Sequence, residues 1–419
     1  MITRVEQKLS IDFQRLKENV IKLSNIGKVE GSGIYRMAFT EADQEARMWL
    51  LKKLEAIGFN ASLDGALNVV GKWNPQHSDR PSIVVGSHID TVPNAGALDG
   101  ALGVLIGLEC LETIKERNVE FNFPLELVAF SDEEGRFGGM FGSRSYAGLM
   151  TPGYLEEATD LDGIRLKDAL SELSHDPYKA LDAARPLNQL RYYLEVHIEQ
   201  GPVLDEGHHT VGIVTDITGL FKWQITFIGS SNHAGTTPMH MRNDAFMGLA
   251  DFAHEIPRII DENGSEHSKM TIGKVQLLPG SPNTIPEQAR FSLDVRDTSR
   301  ETLLELQDAS RKALSAIARR RKLKFEFEEL SWIDPVACDK KLIDTFETVS
   351  KELKVNYLLM PSGAAHDAQM VANIAPVGML FVPSKGGVSH SPHEWTDWQD
   401  IETGANVLLN TLLEINRSL

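Results

Sequence analysis

Two short apolar segments, separated by a helical stretch, constrain the fold of this chain more than any other feature. Residues 81–86 (PSIVVG) and 124–130 (PLELVAF) are typical of buried strands, and residues 100–117 between them are typical of a helix. A strand, a helix and a strand at this spacing predict a βαβ unit. We therefore expect an α/β domain with a mostly parallel sheet.

The order of predicted elements changes after residue 217. Apolar periodicity predicts strands over 221–228, 271–278, 289–295 and 323–327, and helices over 244–260 and 301–319. The order β-α-β-β-α-β is that of the ferredoxin-like split. We predict one α/β domain formed by residues 1–214 and 330–419, with an inserted α+β domain at 215–329.

Length, charge and cysteine content limit the possible functions. A chain of 419 residues exceeds what one hydrophobic core usually serves, and a formal charge of −17 argues against nucleic-acid binding. Cys110 and Cys338 form no CxxC pair, which argues against a disulfide scaffold and fits a reducing compartment. Charges interrupt the apolar positions of Met1–Ser24, so we expect no signal peptide or membrane anchor, and a cytoplasmic location.

Histidines and acidic residues follow the predicted strands. His88, Asp90 and Asp99 lie in the Gly-rich loop after the first strand, and the run SDEEG after the second contains Glu133 and Glu134. Loops at the carboxyl ends of parallel strands are where α/β folds place ligands. Crowded carboxylates repel one another unless a cation compensates, so these loops indicate a metal site.

Two further histidines extend the set of possible ligands. His197 ends a predicted strand over 192–197, and His390 lies in the segment SHSP near the C-terminus. Imidazoles and carboxylates without thiolates suit zinc, manganese, cobalt or nickel. Because the donors outnumber what one ion needs, they favour a pair of ions bridged by a shared carboxylate.

Several separated motifs resemble those of the dinuclear zinc amidohydrolases related to aminoacylase and carboxypeptidase G. They are GSHIDTVPNAGALDG (86–100), HIEQGP (197–202), NHAGTTPM (232–239), SGAAHD (362–367) and SHSP (389–392). The resemblance runs from about Gly33 to Leu412. It implies that residues 1–214 and 330–419 form a metallopeptidase-like catalytic domain and that residues 215–329 form a ferredoxin-like lid and dimerisation domain. HIEQGP narrows the resemblance to the branch containing N-carbamoyl-L-amino-acid hydrolase, allantoate amidohydrolase and β-ureidopropionase.

The resemblance implies a ligand set for two divalent metal ions per subunit. One ion would be held by His88 and His197, and the other by Glu134 and His390. Asp99 would bridge the two ions.

It also implies residues that act around the metal ions. Asp90 would orient the imidazole of His88, and Glu133 would be the general base. His233 would cross a homodimer interface, reach the partner's active site and hydrogen-bond the carbonyl oxygen that becomes the oxyanion.

The substrate contacts implied by the resemblance are Gln200, His233, Asn283, Arg296, Gly363 and His366. Gln200 would recognise the terminal amide of a carbamoyl group, and Asn283 with Arg296 would clamp a carboxylate. The planar fork of arginine suits that clamp, although an ion pair with a neighbouring aspartate is the alternative for Arg296. Gly363 would let backbone amides approach the ligand, and His366 would contribute to the active site.

The predicted function is metal-dependent hydrolysis of the carbamoyl C–N bond of N-carbamoyl-L-amino acids, giving the L-amino acid, ammonia and carbon dioxide. Allantoate and then N-carbamoyl-β-alanine are alternative substrates, because all three present a carboxylate and a ureido carbonyl. The stretch at 33–43 favours the carbamoylases. A relative that binds ligand without catalysis is a further alternative, against which stand the competent donors at every ligand position and Glu133. We expect a small ureido substrate, a homodimer, and neither nucleic-acid nor membrane partners.

Overall fold

The computed structural model describes residues 8–74 and 79–418. The α-helices, in chain order, are α1 (Phe13–Ser24), α2 (Glu41–Ala56), α3 (Ala101–Glu116), α4 (Phe141–Tyr146), α5 (Pro152–Glu157), α6 (Leu166–Glu172), α7 (Val203–Glu206), α8 (Ala245–Asn263), α9 (Arg300–Arg321), α10 (Lys340–Leu353), α11 (Asp367–Val371) and α12 (Trp398–Ser418). The strands are β1 (Asn60–Leu63), β2 (Val69–Trp73), β3 (Ser82–His88), β4 (Leu125–Phe130), β5 (Leu190–Ile198), β6 (Val211–Ile217), β7 (Gly219–Ile228), β8 (Lys269–Thr271), β9 (Val275–Leu278), β10 (Gln288–Asp297), β11 (Lys324–Ile333), β12 (Val336–Ala337), β13 (Tyr357–Ser362) and β14 (Val377–Val382). The expectation that no signal peptide is present concerned Met1–Ser24, and residues 1–7 of that segment lie outside the described residues.

The chain divides into two compact units. The first unit comprises Met1–Thr215, Cys338–Met360 and His366–Leu419, and the second comprises Asp216–Ala337 and Pro361–Ala365. Each unit has its own hydrophobic core.

A mixed β-sheet forms the centre of the first unit. Its strand order is β1-β2-β4-β3-β5-β14-β6, and β13 also pairs with β6. The four central strands β4, β3, β5 and β14 are parallel, whereas the strands on either side pair antiparallel. The predicted α/β class is confirmed, and β4, β3, β5 and β14 form its parallel middle, where both faces of the sheet are covered.

Helix α3 makes the predicted crossover between β3 and β4. Nearly all of its residues are buried, including Leu102, Leu105 and Ile106, because it packs between the sheet and the helices α1 and α12. All residues of β3 and β4 are buried as well. Although α3 is strongly apolar, no helix within residues 8–74 and 79–418 is long and apolar enough to cross a membrane.

The second unit is a five-stranded antiparallel sheet with helices α8 and α9. The strand order is β11-β7-β10-β8, and β9 also pairs with β10. In β7 the side chains of Phe221, Trp223, Ile225 and Phe227 alternate into the core, as a half-buried strand requires. The order of elements is that of a ferredoxin-like split βαβ fold.

Two predicted strands of the second unit differ from the observed ones. The single strand predicted over 271–278 is wrong: β8 ends at Thr271 and β9 begins at Val275. Thr271 pairs with Asp294 and Val275 with Phe291, so the register against β10 shifts by one residue, as at a β-bulge. The last strand was predicted to end at 327, but β11 pairs with β7 as far as Ile333. A register shift between Glu329 and Ser331 interrupts the apolar alternation that the prediction followed.

Candidate metal centre

The parallel strands bring the predicted ligands to one edge of the sheet. His88 is the last residue of β3, and His197 is the penultimate residue of β5. Glu134 follows β4 and His390 follows β14. Since carboxyl ends of parallel strands meet at the same edge, four segments far apart in sequence deliver side chains to one place.

Asp99 lies at the centre of these side chains, and its two carboxylate oxygens face different partners. Its Oδ1 lies 3.7 Å from His88 Nε2 and 3.2 Å from His197 Nε2. Its Oδ2 lies 3.3 Å from His390 Nε2, which is in turn 3.4 Å from Glu134 Oε2. Two groups able to hold a cation therefore share Asp99.

Backbone carbonyls orient the two imidazoles of the first group. His88 Nδ1 lies 3.1 Å from the carbonyl oxygen of Asp90, and His197 Nδ1 lies 2.9 Å from that of Ile198. If each Nδ1 carries the donated hydrogen, both Nε2 atoms face Asp99 and can take a proton or a cation.

The imidazole of His88 does not donate a hydrogen bond to the carboxylate of Asp90, the group expected to orient it. Asp90 Oδ1 is 3.9 Å from His88 Nδ1, and the backbone carbonyl of Asp90 takes that place. Instead, Asp90 Oδ2 accepts a hydrogen bond from the backbone N–H of Glu134 at 3.2 Å, and Oδ1 lies 3.9 Å from Arg47 Nη2. The side chain of Asp90 thus ties the loop of Glu134 to the loop of His88.

Burial and like charge act strongly on the acidic residues. Burial, followed by the charges of Asp367 and Glu134, raises the pKa of Glu133 well above its usual value. Burial, followed by Asp99 and Asp90, raises the pKa of Glu134 in the same way. A cation would relieve this repulsion.

The pKa values of Asp99 and His197 shift so that the charged form of each residue is favoured. Burial disfavours the charge on Asp99, but the close imidazoles of His197 and His390 outweigh it and hold the Asp99 pKa well below its usual range. Burial likewise disfavours the charged form of His197, yet Asp99 raises the His197 pKa to about 9. A divalent cation in this position would replace the proton on His197.

Gly100 allows the close approach of the loop to His88. It has a φ of +60°, and a Cβ atom at this position would lie 2.3 Å from the imidazole of His88. Its N–H donates a hydrogen bond to His197 Nε2 at 3.2 Å. No residue with a side chain could keep both the backbone conformation and the position of the ring.

Gln200 and His366 also lie at this edge of the sheet. Gln200 Nε2 donates a hydrogen bond to Asp99 Oδ2 at 2.8 Å. His366 is buried, and its ring centroid is 4.6 Å from that of His197. Both predicted substrate contacts are therefore next to the candidate ligands.

Glu394 is a residue of this centre to which the sequence analysis gave no role. Its Oε1 accepts hydrogen bonds from the backbone N–H groups of Leu98 and Asp99, at 2.9 and 3.0 Å. Ser389 Oγ lies 3.0 Å from Asp99 Oδ2 and 3.2 Å from Glu394 Oε2. In the sequence, the feature that could have indicated Glu394 is its position four residues after the candidate ligand His390.

The second unit contains the other four predicted substrate contacts, which lie in two pairs. His233 forms a β-bridge with Thr284, and the N–H of Ala234 donates to the carbonyl of Asn283 at 2.9 Å, so His233 and Asn283 are neighbours. Arg296 Nη1 donates to the carbonyl of Gly363 at 2.9 Å. Arg296 and Gly363 line a surface pocket of about 490 Å³ that also contains Lys222 and Lys269.

Arg296 also makes the alternative contact considered from the sequence. Its Nε donates to Asp294 Oδ1 at 2.8 Å, on the same face of β10. This ion pair fixes the plane of the guanidinium and leaves part of the side chain exposed.

Imidazole and carboxylate groups at the carboxyl ends of parallel strands, in a chain with a second antiparallel unit, define the class of metal-dependent hydrolases. A family profile described as Peptidase family M20/M25/M40 matches residues 84–414, and the chain belongs to this family. The family resemblance predicted from the motifs is confirmed.

Individual relatives cover almost the whole chain. This chain is 38% identical to an N-carbamoyl-L-amino acid amidohydrolase of Geobacillus stearothermophilus, and the match covers 97% of this chain and 99% of the relative. It is 33% identical to an allantoate amidohydrolase of Bacillus subtilis (strain 168), over 98% and 99% of the two chains. A crystal structure of a hydantoinase/carbamoylase family amidase from Burkholderia multivorans matches with a TM-score of 0.88 and 32% identity, over 97% of this chain and 98% of the other.

Proposed function

We propose that this chain is an amidohydrolase that cleaves the carbamoyl C–N bond of N-carbamoyl-L-amino acids with two divalent metal ions. The observation that carries the proposal is the position of Asp99, whose two oxygens face two separate ligand groups. The relatives named N-carbamoyl-L-amino-acid amidohydrolase, at 38% and 33% identity, support the choice of substrate.

The chemistry of the donors fits zinc, manganese, cobalt or nickel. His88, His197 and Asp99 would hold one ion, and Asp99, Glu134 and His390 the other. Glu134 Oε1 and Asp99 Oδ1 are buried without a hydrogen bond, as expected for atoms that ligate a cation. Bound ions would supply Lewis acidity, which polarises a carbonyl and lowers the pKa of water.

Glu133 is the group that we assign to proton transfer. It is nearly buried, and its Oε2 lies 3.6 Å from His88 Nε2, yet it belongs to neither ligand group. From this position its carboxylate accepts the proton of the attacking water and returns it to the leaving nitrogen. The products are the L-amino acid and carbamate, which decays to ammonia and carbon dioxide.

His233 is suited to stabilise the oxyanion. Its Nδ1 accepts hydrogen bonds from the N–H groups of Gly235 and Thr236, at 3.0 and 3.2 Å, which places the ring proton on Nε2. An exposed Nε2–H is a donor for the negative charge that develops on the carbonyl oxygen. We propose a homodimer in which each His233 serves the active site of the partner.

The remaining polar contacts would hold the substrate. Arg296, oriented by Asp294, would bind the carboxylate together with Asn283, and Gln200 would contact the carbamoyl amide. His366 and Gly363 would complete the binding site. Allantoate offers the same carboxylate and ureido groups, and the similarity to allantoate amidohydrolases makes it the alternative substrate.

The variant Glu133→Gln tests the assigned proton transfer. We expect kcat to fall by at least about 10²-fold, because an amide cannot accept the proton, while metal content and KM stay near those of the parent protein. Steady-state ammonia release and metal analysis measure these quantities. Glu157→Gln, at an exposed position of α5, is the control and should behave like the parent protein. Near-normal turnover of Glu133→Gln would refute the assignment.

A further inference from the structure

Glu195 is a fully buried glutamate that none of the roles above uses. It lies on β5, two residues before His197, with 0% of its surface exposed. A buried carboxylate is costly unless it is paired or hydrogen-bonded. Its contacts therefore indicate what it does.

The two oxygens of Glu195 accept three hydrogen bonds. Oε1 accepts from Ser87 Oγ at 2.8 Å. Oε2 accepts from the backbone N–H of Ala368 at 3.1 Å and from the hydroxyl of Tyr193 at 3.2 Å. These bonds connect β5 to β3 and to the start of α11.

Each connected segment carries an imidazole of the candidate site. Ser87 directly precedes His88, and Ala368 lies two residues after His366. Glu195 itself is two residues from His197. A single carboxylate thus ties together the three segments on which these imidazoles stand.

The same contacts argue against Glu195 as a metal ligand. A carboxylate oxygen of Glu195 and ring nitrogens of His197 and His366 do lie within 4.8 Å of one another. However, both oxygens already accept hydrogen bonds, whereas Asp99 Oδ1 and Glu134 Oε1 accept none. An ion at Glu195 would have to break bonds that hold β3 and α11 in place.

We propose that Glu195 is a positioning residue, which fixes the spacing of His88, His197 and His366 and thereby the metal affinity of the site. The inference rests on the proposed metal-dependent function. Replacement by glutamine keeps the size of the side chain and one acceptor oxygen for Ala368. It removes the second acceptor oxygen, so the bond with Ser87 must reverse its direction.

The experiment is a titration of chelator-treated protein with Co²⁺, followed by its visible absorption, for the parent protein, Glu195→Gln and Glu126→Gln. Glu126 is the matched control: it is also fully buried, lies on β4 in the same sheet, and accepts hydrogen bonds from Ser82 and Arg185. Thermal unfolding of the metal-free proteins measures the general loss of stability in each variant.

We expect Glu195→Gln to bind Co²⁺ about 10- to 100-fold more weakly, with an altered absorption band, and Glu126→Gln to bind it like the parent protein. Ser87→Ala, which removes one donor and leaves the carboxylate, should give a smaller loss in the same direction. Parent-like binding by Glu195→Gln would overturn the proposal. An equal loss in Glu126→Gln would also overturn it, because the effect would then follow general destabilisation.

The readout separates this proposal from the proposed function. Co²⁺ binding is measured without substrate, so a parent protein that binds Co²⁺ but releases no ammonia would contradict the function alone. Weak Co²⁺ binding by Glu195→Gln would still support the positioning role.

Discussion

Under the proposed function, Arg296 would serve both the fold and the substrate. Its Nε is engaged by Asp294 and its Nη1 by the carbonyl of Gly363. Nη2 also donates to Asp294 Oδ2 at 3.4 Å, so these bonds fix the guanidinium plane. Of the five N–H groups of arginine, one on Nη1 and one on Nη2 are left to bind a substrate carboxylate. Lys222 and Lys269 add positive charge to the same pocket.

The variant Arg296→Lys tests the clamp. We expect KM for the carboxylate substrate to rise at least about 10-fold, because lysine offers a point charge in place of the fork, while kcat changes less. Arg290→Lys is the control, since Arg290 lies on the same strand, is exposed and donates a hydrogen bond to Gln288. An unchanged KM in Arg296→Lys would place the carboxylate elsewhere.

The positions of the candidate ligands could be predicted because they follow from strand ends. His88, Glu134, His197 and His390 each follow or end a segment that is apolar enough to be recognised as a strand, or stand in a motif of the family. Parallel pairing then brings them together.

The buried glutamates that hold the segments of the candidate site, Glu195 and Glu394, could not be predicted from one sequence. Glu195 reaches Ala368 across 173 positions, and Glu394 reaches the N–H of Asp99 across 295. A buried acidic residue on a strand has no spacing that reveals its partner, because that contact exists only after the tertiary fold forms. For the same reason the backbone carbonyl of Asp90, rather than its carboxylate, was not recognised as the partner of His88.

At the scale of elements, α3 packs tightly against β5 beside the candidate metal centre. A Cβ atom on Gly103 would lie 1.9 Å from the carbonyl oxygen of Val196. The helix begins directly after Asp99 and Gly100, and Val196 precedes His197. The distance between helix and strand therefore sets the distance between two candidate ligands.

Gly103→Ala should move α3 away from β5. We expect the free energy of unfolding to fall by about 1–3 kcal/mol, as for other overpacked cores, and Co²⁺ binding to weaken. Urea unfolding and metal titration measure the two effects. In Gly153→Ala, the control, a Cβ atom would have no neighbour within 4 Å, and no loss of either quantity is expected. If Gly103→Ala behaved like this control, the packing argument would be wrong.

Elements were predicted well where they are buried throughout, as in β3 and β4, and where one face is buried and the other exposed. The alternation in β7 and the periodicity of α8 and α9 gave the order of the second unit. The break between β8 and β9 was missed because Ile272 and Gly273 leave the apolar pattern intact while the register shifts. The second half of β11 was missed because a register shift between Glu329 and Ser331 interrupts the alternation there.

At the scale of the whole molecule, the proposed dimer predicts complementation between two inactive variants. Glu133→Gln lacks the proton acceptor, and His233→Ala lacks the oxyanion donor. If His233 acts in the partner's site, a mixed dimer contains one site with both defects and one with neither. Randomly mixed subunits should then recover about a quarter of the parent activity per site, as follows from two-fold symmetry.

The measurement is ammonia release after the two purified variants are unfolded, mixed and refolded together. Each variant refolded alone is the control and should stay inactive. A mixture as inactive as its components would show that His233 acts within its own subunit or that no dimer forms.

Ammonia release from chelator-treated parent protein, resupplied with zinc, manganese, cobalt or nickel, directly tests the proposed metal-dependent hydrolysis of N-carbamoyl-L-amino acids. N-carbamoyl-L-methionine and allantoate are compared as substrates under the same conditions. We expect turnover of the carbamoyl amino acid that depends on added metal, with little ammonia released from allantoate. Preference for allantoate would contradict the choice of substrate, and no release from either substrate with any of the metals would contradict the proposed activity.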